Sequence, residues 1–406
     1  MTTAARKILV VFGTRPEAIK LAPVILALGA DPRFEVATCS SGQHRDMIQP
    51  VCDLFGIAID HDLGVMRPGQ SLDHVTAAIL DKLPAVFAAE RPDVVMVQGD
   101  TTTAFSAALS AFYHRIPIAH VEAGLRTKDL ASPFPEEGNR ALISRLARWH
   151  FAPTRAAREH LVAERCPGQV VETGNSVVDA ARLALDLLGP AGEAAIAARL
   201  GLAAPERASI LFTMHRRECF GAPATRIFAA LRRIAARHDV DILYPVHPNP
   251  QVRGPAFEML GGLDNVRLVD PLGYDEMIVA LKCAHMLVTD SGGLAEEAPT
   301  FSTPALILRK STERPESIET GNAELIGHDA ALLEARVAEL LSGGELHARM
   351  SAAANPFGDG RASERIAAAL ATPVTDAHAL APSRPAATAA PTPDTPAAQP
   401  APAKAA

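Results

Sequence analysis

Several absences narrow this chain before anything present does. The five cysteines, Cys39, Cys52, Cys166, Cys219 and Cys283, lie far apart with no close pair, which argues against a zinc knuckle or a disulfide framework and leaves scattered thiols. Positive charge is not in excess: a formal net charge of -7 gives no basic field for a nucleic acid backbone. The apolar run at the N-terminus, Ile8 to Phe12, is too short for a signal peptide or a membrane span, so it reads as the first strand of a cytoplasmic protein. Neither G-x-G-x-x-G nor G-x-x-x-x-G-K-[ST] occurs, which removes the dinucleotide fingerprint and the Walker loop. His215 and His247 lack the i, i+4 spacing of a helical zinc pair, and no metal site is read.

What is present is a repeating scheme. The chain has 406 residues, 48% hydrophobic and 4% aromatic, enough for two domains with cores of their own. Short apolar runs, each ending in a polar or glycine-containing turn, alternate with segments of helical spacing. In the first half they are Ile8 to Phe12, Val36 to Cys39, Val94 to Val97, Ile116 to Val121, His150 to Ala152 and Val170 to Thr173. In the second half they are Ile210 to Thr213, Ile242 to Val246, Val266 to Val269, Met286 to Val288 and Ala305 to Leu308. Alternation of this kind predicts α/β architecture: parallel sheets covered on both faces, in two doubly wound Rossmann-like domains. The expected division is 1–178 for the first domain, with 356–371 crossing back to it, and 179–355 for the second, with Gly189-Pro190-Ala191-Gly192 as linker. Residues 372–406, rich in Pro and Ala and without large apolar side chains, cannot offset the entropy of ordering and are expected to form a disordered tail.

The reactive side chains sit where these strands end, which is where doubly wound sheets bind ligands. Val288 to Pro299, VTDSGGLAEEAP, reads as strand, tight loop and helix start. Its unpaired backbone N–H groups and its glycines suit a diphosphate, although a plainly capped helix would look the same. Arg15 and Lys20 follow the first strand in GTRPEAIK, with Pro16 where a helix begins, and both are able to face an anion. Asp100 in GDTTT has a capping role as its ordinary alternative, but three threonines already offer caps. In HVEAG the period-2 alternation puts His120 and Glu122 on one side of a buried strand, an expensive placement without a task. For Glu136 and Glu137 the helix dipole is the simpler explanation. His215 leaves its strand with Arg216 and Arg217 behind it, and Arg314 is expected beside the Ser291 loop, where it strengthens the diphosphate reading.

Assembled, these segments resemble the non-hydrolysing UDP-N-acetylglucosamine 2-epimerases. GTRPEAIK, SGQHRDM, GDTTT, HVEAGLRT, SPFPEE-NR, HFAPT, TGN, HRRE, YPVH-NP, TDSGG--EEAP, TERPE and NP-GDG appear in the family's order from about Lys7 to Leu370. The resemblance implies a GT-B-like fold, two domains facing a cleft, and interconversion of UDP-GlcNAc and UDP-ManNAc for envelope polysaccharide, without a cofactor. Carried over residue by residue, it makes Asp100, Glu122, Glu136 and His215 the catalytic set. Arg15, Lys20, Ser291, Gly292, Gly293, Glu297 and Arg314 become substrate contacts, with Glu297 on the ribose. Leu272 and Met277 stand at the uracil wall, and Gln43, His44, Gln70 and Arg217 match a second UDP-GlcNAc site where some members bind an activator. A homodimer is implied as well. The chain departs from the pattern at Ala295, where many members have Gln, at Cys219, where Asn or Ser is usual, at Met277, which replaces an aromatic residue, and at Lys310, where Asp is usual. Three rivals share the scaffold: a hydrolysing epimerase that releases UDP and free ManNAc, a retaining glycosyltransferase, and a catalytically silent sugar-nucleotide sensor.

Overall fold

Ile8 to Val11 are fully buried and Phe12 nearly so, because the sheet they join is parallel and carries helices on both faces. The computed structural model describes residues 5–43, 45–67, 69–203, 207–312 and 314–372, so the tail from 373 onward, expected to be disordered, lies outside the described residues. The first sheet comprises β1 (Arg6–Phe12), β2 (Phe34–Ser40), β3 (His61–Asp62), β4 (Val94–Gln98), β5 (Ile118–Val121), β6 (Trp149–Ala152) and β7 (Gln169–Glu172). The second comprises β8 (Ala208–Thr213), β9 (Val240–Pro245), β10 (Val266–Val269), β11 (Met286–Thr289), β12 (Ala305–Ile307) and β13 (Ala323–Leu325). Their orders are β3-β2-β1-β4-β5-β6-β7 and β10-β9-β8-β11-β12-β13, and the recorded strand pairings are parallel. Two Rossmann-like domains result. The order in which strands are added reverses between β1 and β4 in one sheet and between β8 and β11 in the other, and these switch points aim crevices at each other.

Two strands were not visible as apolar runs. β3 is His-Asp, ordered by backbone pairing to β2, and β13 is Ala-Glu-Leu, an edge strand that pairs with β12 and sets Ala323 and Leu325 on the second domain's core in a run too short to stand out. The stretch expected as a linker, Gly189 to Gly192, lies inside one long helical element, Ser176–Leu200, broken where Gly189 adopts φ 63°, ψ 172°. The first half of that element packs with helix Arg15–Gly29, and its other half reaches the second domain's core. Helix Ala362–Ala371 returns to the first domain: Ile366 and Leu370 join the core cluster of Ile8, Val10 and Phe12, and the Asp179 carboxylate accepts from Ala362 N and Ser363 N at 3.2 and 2.8 Å, capping a helix from elsewhere in the chain. Tyr274 and Ile278, from the second domain's side, enter the same cluster and help seat one domain on the other. Among the described residues no helix is long and apolar enough to cross a membrane.

Candidate functional site

The loop after β1 is fixed before it can bind anything. Thr14 caps helix Arg15–Gly29 with Pro16 in its first turn, and the Glu17 carboxylate accepts from Gly13 N at 3.0 Å, Thr14 N at 2.7 Å and the Thr101 hydroxyl at 2.7 Å. Burial pushes the Glu17 carboxyl up to about 7 against those hydrogen bonds. Gly13 is required by crowding: a Cβ there would sit 2.2 Å from Ser41 Oγ and 2.3 Å from Thr103 Oγ1. Glu17 thereby ties the first loop to the GDTTT loop after β4.

Lys20 does not present a free charge to an anion. It is buried, with Nζ 2.6 Å from Glu122 Oε2 and 2.9 Å from Glu296 Oε2, so one ammonium joins the first domain to the second. Glu122 itself lies one residue past β5 with φ 62°, a conformation that a non-glycine residue adopts only when its surroundings hold it. This breaks the alternation that was to pair it with His120. His120 faces instead into the protein, its Nε2 2.7 Å from Gly99 O, and burial depresses its pKa to about 3. Gln98, at the end of β4, gives a side-chain amide hydrogen bond to the same Glu122 oxygen. Burial and then the nearby Glu296 carboxylate raise the Glu122 pKa, with Lys20 opposing.

Asp100 is half-buried at the end of β4, beside β5, and caps nothing, since Thr101 caps the following helix. Its carboxylate accepts from Arg140 at 2.9 Å (Nε) and 2.6 Å (Nη2), and its carbonyl from Asn139 Nδ2 at 2.8 Å. Of the two glutamates in PFPEE, Glu137 turns inward to accept from Thr127 N and Lys128 N, both at 3.0 Å, while Glu136 stays half-buried at the helix start. The dipole alone does not account for Glu137: it pins the loop that follows β5 at Thr127 and Lys128.

On the second domain, Ser291 caps the short helix Gly292–Glu297, with Leu294 N donating to its hydroxyl at 3.4 Å. Arg314 lies against Gly292, where a Cβ would come within 2.8 Å of Nη1, and its guanidinium pairs with Glu296. The two glutamates of EEAP, Glu296 and Glu297, fall in the second turn of this helix, and both are buried. Burial raises Glu296, but Arg314 and Lys20 outweigh it and hold that carboxyl below the ordinary range. Glu297 is pushed up to about 7, first by burial and then by Glu296. Next to it Tyr274 is buried, and the Arg15 guanidinium approaches the Leu272 carbonyl at 3.5 Å, a weak contact. Met277 is partly buried against the second domain's core.

His215, exposed at the end of β8, is oriented by Asp290, which is fully buried. Nδ1 lies 2.9 Å from Asp290 Oδ1, while Asp290 Oδ2 accepts from His215 N and Arg216 N, both at 2.8 Å. Burial pushes Asp290 up, but the His215 pair and the backbone donors prevail and keep it a carboxylate. A ring held through Nδ1 leaves Nε2 for the cleft, the arrangement a proton-handling or charge-stabilising histidine needs. His247 stacks at 6.3 Å between ring centroids.

The Gln43 side chain accepts from Thr103 Oγ1 at 3.0 Å, and that of Gln70 accepts from Arg67 N at 3.1 Å. His44 and the Arg217 side chain lie outside the described residues. Cys219, where the family resemblance expects Asn or Ser, is buried with its Sγ 3.4 Å from His328 Nε2. The residues that sequence reasoning passed over are Glu17, Gln98, Asp290 and Glu296. Glu17, Asp290 and Glu296 stand inside motifs already singled out, and Gln98 directly precedes one.

Two parallel sheets with facing switch points, carboxylates on one lip and a glycine-lined helix start with an arginine on the other, define a GT-B-like arrangement of two domains about a cleft. The family model described as UDP-N-acetylglucosamine 2-epimerase matches residues 26–371, and the chain belongs to that family. It is 46% identical over 368 residues to the UDP-N-acetylglucosamine 2-epimerase of Escherichia coli K12, covering 90% of this chain and 98% of that protein. Among solved structures it is similar to the UDP-GlcNAc 2-epimerase of Neisseria meningitidis bound to UDP-GlcNAc, at 40% identity and TM-score 0.84 over 90% of this chain and 99% of that one. The enzyme of Methanocaldococcus jannaschii in complex with UDP-GlcNAc and UDP matches at 30% identity and TM-score 0.76, over 90% and 99% of the two chains.

Proposed function

We propose that this protein is a non-hydrolysing UDP-GlcNAc 2-epimerase that interconverts UDP-GlcNAc and UDP-ManNAc by eliminating UDP and adding it back. The observation that carries the reading is the opposition, across the Lys20–Glu296 contact, of Asp100 and Glu122 at adjacent strand ends to the Ser291 helix start and Arg314. Relatives crystallised with UDP-GlcNAc support the substrate class. The C2 hydrogen of the sugar is on carbon with no adjacent carbonyl, so its removal alone would leave an unstabilised carbanion. C1 carries a good leaving group. As a base takes the C2 proton, the C–H electrons form the C1–C2 double bond and the C1–O pair departs with UDP, giving 2-acetamidoglucal. Protonation at C2 from the opposite face, with the UDP oxygen returning to C1, completes inversion.

Asp100, Glu122 and Glu136 handle the C2 proton on the two faces. His215, aligned by Asp290, and Arg314 stabilise charge on departing UDP, with Ser291, Gly292 and Gly293 lining the diphosphate and Glu297 the ribose. Arg15 and Leu272 flank the nucleotide, with Met277 behind them, and Gln43 and Gln70 belong to an activator site for a second UDP-GlcNAc. The enzyme acts as a cytoplasmic homodimer that supplies ManNAc units for envelope polymers. Proton NMR of the protein with UDP-GlcNAc in heavy water tests the reading: UDP-ManNAc should appear with deuterium at C2 in recovered sugar nucleotide. Recovery without deuterium rejects the elimination, and stoichiometric free UDP with ManNAc identifies the hydrolysing alternative.

A further inference from the structure

Three buried charges and the partly buried Arg314 meet between the domains, and each domain supplies a neutral pair. Lys20 and Glu122 come from the first, 2.6 Å apart, and Arg314 and Glu296 from the second, in direct contact. The Lys20–Glu296 contact at 2.9 Å crosses from one pair to the other. Its side chains are only 8% and 1% exposed, so this is no surface ion pair. The elimination scheme uses Glu122 and gives Glu296 nothing to do, yet an uncommitted carboxylate would be costly at that depth.

We propose that Glu296 is a positioning residue that acts on Glu122 through Lys20: closure of the two domains brings a second carboxylate to the Lys20 ammonium, weakens its hold on Glu122, and so fits Glu122 to carry a proton. The inference rests on the proton-handling role of Glu122 proposed above. Lys20 and Glu122 share a domain, so they stay paired when the domains part, and an ammonium at 2.6 Å with no competitor keeps Glu122 a carboxylate. Closure divides that ammonium between two carboxylates. Glu296 does not take the proton itself because Arg314 attends it from its own domain. The groups around Glu122 are then Lys20 from helix Arg15–Gly29, the Gln98 amide from β4, and Glu296 with Arg314 from the second domain. Burial and the Glu296 charge both raise Glu122, while Arg314 and Lys20 together lower Glu296, so of the two carboxylates Glu122 is the stronger base. Proton transfer at C2 is thereby confined to the closed cleft, where water does not capture the glycal intermediate.

The test is the pH dependence of kcat, which reports the closed complex, beside that of kcat/KM, which reports the free enzyme. Glu296→Gln removes the like charge while leaving an oxygen for Lys20 and Arg314. Its kcat limb assigned to Glu122 should move to lower pH by about one unit, with a smaller move in kcat/KM. Glu296→Asp retains the charge with a shorter reach and should move the limb less, in the same direction. An unmoved kcat limb with a uniform loss at every pH, or a change confined to KM, overturns the proposal. If Glu296→Gln does not fold, Glu296→Asp decides alone, and an unmoved limb there overturns it. Deuterium incorporation by the unmodified enzyme runs alongside: its absence rejects the epimerisation scheme, whereas incorporation with an unmoved limb rejects only the part given to Glu296.

Discussion

Where the first sheet ends, charge is carried by side chains locked against one another, Lys20 against Glu122 and Asp100 against Arg140. Where the second sheet ends, the main features are backbone N–H groups, glycines without a Cβ, and one arginine lying against Gly292. The first lip is built to tune and aim carboxylates, since buried ionisable groups shift their pKa values in response to each neighbour. The second is built to hold an anion that gains negative charge as it leaves and loses it on return, a change that fixed dipoles and a cation can meet without moving. Handling of the C2 proton is thus placed on one domain and anchoring and charge stabilisation of the leaving group on the other, and substitutions on the two lips should fail in different ways.

The largest effect expected is from Glu122→Gln, which should lower kcat by about 10²–10⁴-fold while UDP affinity, followed by calorimetry, stays near that of the unmodified protein. Loss of UDP binding equal to the loss of turnover would erase the distinction between the lips. Asp290→Asn should reduce kcat by roughly 10²-fold, because an amide that presents its N–H to His215 Nδ1 favours the wrong tautomer; measurement of UDP affinity beside kcat separates this from a binding defect. Arg314→Ala should act the other way round, raising the Kd for UDP by about 10-fold or more through loss of a charge-assisted contact. Gly292→Ala should weaken UDP binding by only a few-fold, about 1 kcal/mol or less, because the added Cβ meets the end of a flexible arginine and not backbone.

The smallest effect concerns stability. Glu17 and Glu297 have native pKa values of about 7, above the ordinary value of 4.5, so the folded protein binds protons that the unfolded chain releases. Their contribution is complete below about 4.5 and is lost as pH rises through about 7. Tm should therefore decline across that window from these groups. Glu17→Gln and Glu297→Gln should each flatten the decline, and an unchanged slope in both would refute the assignment.

Much of the architecture was legible because most of the buried parallel strands are continuous or nearly continuous apolar runs, and such a run states its own position. β3 and β13 were illegible because edge strands of two and three residues are too short to show a period: β3 is His-Asp, and β13 offers only Ala323 and Leu325 around Glu324. At the site, Asp100, Glu122, His215, Ser291 and Arg314 announced themselves as polar residues at strand ends. Glu17, Asp290 and Glu296 did not. An acidic residue near a helix start has an ordinary explanation in local sequence, and only a partner far along the chain displaces it.

The sequence by itself determined the alternation of strand and helix, the two sheets, and the motif order that places this chain in its family, since hydrophobic period and turn chemistry are local properties. Tertiary structure alone decided which charges face each other. That Lys20 is shared between Glu122 and Glu296, and that Asp290 lies beneath His215, depends on distances between residues widely separated in the chain, and the electrostatics of a buried group are set by those distances.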